Sequence, residues 1–355
     1  MLRKSQRGVS LVELMVALTV GMFIIAAIGY VYLAANNASR SMEASSRIQE
    51  NMRYAFERMS YDVRMAGMSG CTMQTQVNVL KNSSSWEFDV FSFPLRGYEE
   101  NAGSLPTGVS GVLRGDVFSV LGVDNSVEYI IESHNPVSAQ FELSEKHNIK
   151  QGEILVATDC KHAAVFQMTN VNNNDEIKNV VHNTGNSTSP GNCTKGFGLP
   201  LNCDDANGNS YTFPPGSRLL RLNAATYYIG TNGTGESALF RQTLGINATT
   251  SAIELVEGIE NMQILYGVDT SNPADGAVNI YVTADQVVAT SLEATAQAAW
   301  QRVLAVRVSM VAVSKANELV NTKPQSYVFN GATITPTDRR MRKVFTNTIA
   351  VRNRL

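Results

Sequence analysis

One carboxylate, Glu13, stands inside an apolar run that reads GVSLVELMVALTVGMFIIAAIGYVYLAA over residues 8–35. A charge at the centre of a membrane helix costs about 2.5–3.5 kcal/mol on insertion scales, so this acid needs something to offset it. Its surroundings are unusual. Arg3, Lys4 and Arg7 precede the run, Gly8 follows them, and Glu13 is the fifth residue after Gly8. A secretory signal peptide also has a positive start and an apolar stretch, but this stretch is too long and no A-x-A-like cleavage site follows it. A plain membrane anchor fits the length, with a cytoplasmic positive flank and the remainder facing outward. Neither reading accounts for Glu13, unless it is merely tolerated at the interface by snorkelling.

The other side chains with chemical potential are the cysteines. All four, Cys71, Cys160, Cys193 and Cys203, lie beyond the apolar run. An even count in an oxidising compartment points to two disulfides. Three connectivities are possible. The short separation pairs Cys193 with Cys203, which leaves Cys71 for Cys160 and ties the end of the N-terminal helix to a strand. A zinc site would require CxxC pairs or histidines at ligand spacing, and His134, His147, His162 and His182 are scattered, so no metal and no cofactor is expected. Two acidic stretches, Asp204–Asn209 and Asp269–Gly276, lack the oxygen pattern of an EF-hand calcium loop, and Asx turns account for both. No G-x-S-x-G, P-loop or HExxH motif occurs, so the chain is not expected to be an enzyme.

These residues must be positioned by three kinds of element. Val9 to Ala35 gives about 40 Å of helix at 1.5 Å per residue, enough to span a bilayer core of about 30 Å. The next segment, 36–67, turns polar but keeps helical character without a proline. Its apolar residues, Met42, Ile48, Met52, Ala55, Phe56, Met59, Val63 and Ala66, form from Ile48 onward the stripe of an amphipathic helix. The opposite face carries Arg47, Glu50, Arg53, Glu57, Arg58 and Arg64. Gly67 is the expected stop, and Gly21 and Gly29 are places where the helix could bend.

Beyond it, 68–355 reads as a β-rich head, taken as one continuous unit with insertions. Strands are predicted over Trp86–Phe93, Asp116–Val123, Val127–Glu132, Glu153–Thr158, Ala164–Val171, Arg218–Ile229, Ala252–Val268, Ala277–Thr283, Val303–Val313 and Lys343–Val351. Thr283–Trp300 is predicted helical with Thr283 as N-cap. The expected class is α+β, a long N-terminal transmembrane helix running into a large β-rich head. The whole chain has formal net charge −2, and without residues 1–8 it has 26 basic against 31 acidic side chains. Nothing is polybasic. The C-terminal cluster Arg339, Arg340, Arg342, Lys343, Arg352 and Arg354 could touch DNA phosphates, but alternating Phe345, Asn347, Ile349 and Val351 favour an ordinary strand with charged flanks.

The segment Arg7-Gly8-Val9-Ser10-Leu11-Val12-Glu13-Leu14 resembles the cleavage motif of type IV prepilins and related pseudopilins. The family usually has Phe or Met after the cut, where this chain has Val9. The stretches Gly152–Cys160, Ala163–Gln167, Arg221–Tyr228, Glu257–Val268 and Arg342–Arg354 are similar to those of PilW-type minor pilins, and 288–299 looks like an insertion before Trp300. The resemblance implies a leader, 1–8, cut by a prepilin peptidase between Gly8 and Val9, with N-methylation of Val9. It also implies that Glu13 meets the Val9 amine of a neighbouring subunit, an attraction that low dielectric strengthens. It further implies a pilin-like fold and a minor pilin that primes the type IV pilus and sits at its tip, supporting twitching motility, adhesion or DNA uptake. The implied partners are other minor pilins, the major pilin, the inner-membrane assembly platform and a tip adhesin; direct nucleic-acid contact is not expected. The implied location is the inner membrane with a periplasmic head, then the extracellular pilus of a Gram-negative bacterium. A large-headed pseudopilin of type II secretion would share the start and the helix. An adhesive or DNA-binding tip subunit would add a ligand to the same scaffold.

Overall fold

The computed structural model describes residues 8–68, 75–81, 85–100, 102–170, 178–185, 187–316, 321 and 323–352. Its first element is a single helix, α1 (Leu11–Met65), of 55 residues. Ser10 is its N-cap, with extended backbone, and Arg64 lies in the last turn, where a cation suits the carbonyl end. Gly21 and Gly29 do not interrupt it. The chain leaves the helix at Gly67, whose positive φ of 73° suits a residue without a Cβ. The Gly67 N–H donates to Leu121 O at 2.8 Å, fixing the exit against the head.

Sixteen strands follow among the described residues: β1 (Thr75–Asn78), β2 (Leu95–Tyr98), β3 (Val117–Asn135), β4 (Gln140–Leu143), β5 (Ile154–Thr158), β6 (His162–Gln167), β7 (Asn179–Val181), β8 (Arg218–Thr231), β9 (Ser237–Leu244), β10 (Thr250–Glu257), β11 (Ile259–Val268), β12 (Ile280–Val282), β13 (Val303–Val313), β14 (Tyr327–Phe329), β15 (Ala332–Ile334) and β16 (Arg342–Ala350). The first ten form one sheet. Within it only β1 and β6 pair in parallel. The second sheet has the order β12-β11-β13-β16 and is antiparallel throughout. β14 and β15 make a separate hairpin. The chain is thus α+β, a long apolar helix followed by a β-rich head.

The two sheets share one core, and α1 is its third member. Ile48, Met52, Ala55, Met59, Val63 and Ala66 are buried with Phe118 and Tyr227 of the large sheet and with Met262, Ile264, Val308 and Ile349 of the small one. Met42 does not join this stripe; it is 73 % exposed, and Ala44 is the first buried residue of α1. The head does not reach back that far along the helix.

Several elements differ from the sequence pattern, each for a tertiary reason. Trp86–Phe93 is not a strand: Trp86–Phe88 is a 3-10 turn, after which Asp89 accepts from the N–H groups of Ser92 through its carboxylate and Phe93 through its carbonyl. The segments 116–123 and 127–132 are one strand, β3, with a bulge between Asp124 and Tyr129 that lets a single strand bend. Ala252–Val268 is instead divided at Gly258 (φ 80°), where a Cβ would stand 2.6 Å from Val313 O. This one residue passes the chain from the large sheet to the small one. β6 ends at Gln167, and Val171 lies outside the described residues. Ala277–Thr283 contracts to β12. Thr283–Trp300 holds a 3-10 turn and two short helices, α2 (Val287–Thr290) and α3 (Ala296–Gln301). Thr283 is the residue before that turn, but its hydroxyl donates to Asp285 Oδ1 at 2.5 Å rather than accepting a capping N–H. β9 had no sequence signal of comparable strength; its partners β8 and β10 define it.

Candidate functional site

The start of α1 is built by local chemistry. A helix leaves its first N–H groups without intrahelical acceptors. Here the Ser10 hydroxyl accepts from Val12 N–H at 3.4 Å and the Glu13 carboxylate accepts from Ser10 N–H at 3.0 Å. This reciprocal arrangement is a capping box. Gly8 and Val9 precede it in non-helical, exposed chain, and nothing lies within 4 Å of where a Gly8 Cβ would be. The bond that a prepilin peptidase would cut is therefore accessible and lies outside the helix. Among the described residues Glu13 has no basic partner; its contact is with its own helix start.

From Gly8 to Ala35 every residue is exposed except the half-buried Gly21. An 18-residue window of this helix has a mean hydropathy of 2.5, so it is long and apolar enough to cross a membrane. An apolar surface of this extent, uncovered by the head, requires lipid or other chains.

The head half of α1 carries the opposite arrangement. Asp62, missing from the residues singled out in the sequence, is 1 % exposed on the buried stripe. Its carboxylate accepts from Tyr227 Oη at 2.6 Å, Arg241 Nε at 2.7 Å, Arg58 Nη2 at 3.1 Å and Asn223 Nδ2 at 3.4 Å. Burial and then the Asp62 charge push the Tyr227 hydroxyl above its ordinary range. Burial works against the Arg241 cation, but the Asp62 charge and bond outweigh it and raise its pKa. An isolated buried carboxylate would be costly, and this one has its full set of donors. The clamp ties α1 to β8 and β9. Lys343 Nζ donates to Ser45 Oγ at 2.5 Å and ties α1 to β16. The one signal available was an acid beside Val63 where the helical spacing calls for an apolar residue. Nothing in the sequence named Arg241 as its partner.

Cys193 and Cys203 form a disulfide. Cys160 is also disulfide-bonded, and no cysteine among the described residues is free; Cys71, its expected partner, lies outside the described residues.

The C-terminal cations are mostly committed. Arg342 makes two bonds to Glu260 and two to Asp338. Arg340 pairs with Glu236 and donates to Ser314 O. Side chains of Arg342 hold Asp338 well down, at about 2. Arg354 lies outside the described residues. The alternation of β16 places Phe345 and Asn347 half-buried and Ile349 and Val351 buried, with Val344, Thr346, Thr348 and Ala350 exposed. A cleft of about 380 Å³ lies beside this cluster, lined in part by Arg114, Glu260, Tyr327, Asp338 and Arg342. The acidic loops are likewise self-satisfied. Asp269 accepts from the N–H groups of Ser271, Asp275 and Gly276, and Asp205 from that of Asn207. Among the described residues no three His, Cys, Asp or Glu side chains converge on a metal position.

Residues 226–353, from within β8 past the end of β16, match the family model described as Type IV Pilus-assembly protein W. Residues 3–29 match the model described as Prokaryotic N-terminal methylation motif. No match was found among curated proteins or among solved structures.

Proposed function

From a chain that is a PilW-type, prepilin-like pilin, we propose a minor pilin that primes assembly of the type IV pilus and occupies its tip. It is not an enzyme. The observation that carries this reading is the unpartnered start of α1: an accessible Gly8–Val9 bond, one acid without a basic partner in its own described chain, and an apolar surface that the head leaves uncovered. Cleavage after Gly8 creates the missing cation, on Val9. In low dielectric an ammonium and a carboxylate attract strongly. The Val9 amine of one subunit and the Glu13 of another then set the register in which subunits leave the membrane, with other minor pilins and the major pilin as neighbours. The inner membrane holds the chain before assembly, the head lies in the periplasm, and the extracellular fibre is its destination.

Head size supports the tip. Residues 68–355 have a radius of gyration of about 19 Å by the usual compactness rule, and heads of that bulk would crowd if repeated along a thin fibre. The internal pairing of Arg340 and Arg342 weighs against DNA contact through that cluster. A secretion pseudopilin would share the start of α1, and the pilus-assembly match over the C-terminal third favours the pilus.

Deleting the gene should leave few or no surface pili and abolish twitching; normal fibre numbers overturn the priming role. Mass spectrometry of the native protein should find a methylated Val9 at its start. A native chain that begins at Met1 removes the subunit reading and leaves a tethered domain.

A further inference from the structure

All four histidines lie in one lobe of the large sheet, and two of them meet in its centre. His182 is fully buried and His134 nearly so. His134 stacks on Phe141 with centroids 4.2 Å apart, His182 lies 4.4 Å from Phe197, and Phe213 closes the cluster. Phe197 and Phe213 belong to the excursion 187–217, which leads from β7 toward β8 and carries the Cys193–Cys203 disulfide.

The hydrogen bonds of this pair permit one arrangement of protons. The Phe213 N–H donates to His134 Nδ1 at 3.2 Å, so that nitrogen offers a lone pair and the ring proton is on Nε2. His134 Nε2 lies 3.1 Å from His182 Nε2, which must therefore accept. The His182 proton is then on Nδ1, which among the described residues meets at most its own backbone. An additional proton has two places to go. On His134 Nδ1 it would face the Phe213 N–H; on His182 Nε2 it would face the His134 N–H. Either way two donors oppose each other among phenylalanine rings, where a charge is poorly solvated.

We propose that the His134–His182 pair is an acid-released latch, which holds the 187–217 excursion closed near neutral pH and lets it open as the medium turns mildly acidic. The charged neighbour acting on the pair is Lys195, whose Nζ donates to Val137 O, and it too opposes a proton on His182. No carboxylate among the described residues offsets this for either ring. Across the cluster, His162 stacks on Tyr211, which donates to Asp159; its basicity is also lowered, by burial. Burial pushes His134 down to about 4 and His182 far below its ordinary value. Both rings thus bind fewer protons closed than open. Closure is fully favoured above about 6.5, the ordinary histidine value, and weakens as pH falls toward 4. Between pH 7.5 and 5.5 each ring of the pair should raise the opening constant about tenfold and the pair about 100-fold, with His162 adding to this as Tyr211 leaves it.

Hydrogen exchange on the full chain in detergent micelles, corrected for intrinsic rates, tests this. Amides of 187–217 should lose at least about 100-fold protection between pH 7.5 and 5.5, while β13 and β16 keep theirs. His134→Gln supplies a donor to His182 and an acceptor for Phe213 but takes no proton in this range, so the loss should shrink about tenfold. Imidazole nitrogen NMR of the wild-type chain provides a readout that no variant affects. Both rings should stay neutral at pH 5.5 in the closed form. Unchanged protection of 187–217, equal loss across the head, or either ring titrating near 6.5 in the closed form overturns the latch.

Discussion

The two halves of α1 each carry a carboxylate on an apolar surface, and they solve the problem in opposite ways. Asp62 is sealed inside the head and bonded to Arg241, Arg58 and Tyr227 of its own chain. Glu13 is exposed, and its contact within the chain is a backbone N–H of its own first turn. A buried acid whose partners are all internal serves the fold. On the function proposed above, the exposed acid serves assembly instead, as the partner of a Val9 amine on a neighbouring subunit. One continuous helix thus belongs to two environments, and the boundary falls near Ala44, where the head begins to cover it.

Breaking the internal clamp should have the largest effect. Asp62→Ala leaves Arg241 and Tyr227 buried without their acceptor and should destabilise the head by about 3–5 kcal/mol, read from denaturant unfolding of the full chain in micelles. A loss under 1 kcal/mol would mean that the clamp is ornamental and the contrast is lost. Ser10→Ala removes half of the capping box while leaving Glu13 in place. It should cost about 1 kcal/mol in the first turn of the helix, seen as faster exchange of the Val12 amide, with head unfolding unchanged. Glu13→Gln should leave head stability within about 0.5 kcal/mol of wild type, because the side chain touches nothing in the head. Its recovery in sheared fibres should nonetheless fall. Equal recovery would erase the distinction between the two acids.

Much of the scaffold was legible where local chemistry suffices. The apolar run of 9–35, the stripe from Ile48 to Ala66 and the stop near Gly67 follow from composition and periodicity, because a helix closes its own hydrogen bonds. The residue pattern gives β13 its observed bounds and β16 its bounds within one residue, since alternation against a single core dictates them. Gly258 was not legible as a divider inside 252–268, because its positive φ answers Val313 on another strand. Trp86–Phe93 has strand composition but is held in turns by Asp89. The capping role of Glu13 was within reach, through the Ser10–Glu13 spacing. The role of Asp62 was not, since Arg241 is 179 residues away.

A helix long and apolar enough to cross a membrane, and the prepilin-like start, depend on residues adjacent in the chain; the sequence alone therefore established them. Partners of buried charge depend on which distant strands meet. Only the folded head placed Arg241 on Asp62, paired Arg340 with Glu236 and Arg342 with Glu260 and Asp338, and set two histidines nitrogen to nitrogen among phenylalanines. Desolvation makes each of those meetings decisive, because a polar group taken out of water is stabilised only by the particular neighbour that the tertiary structure brings to it.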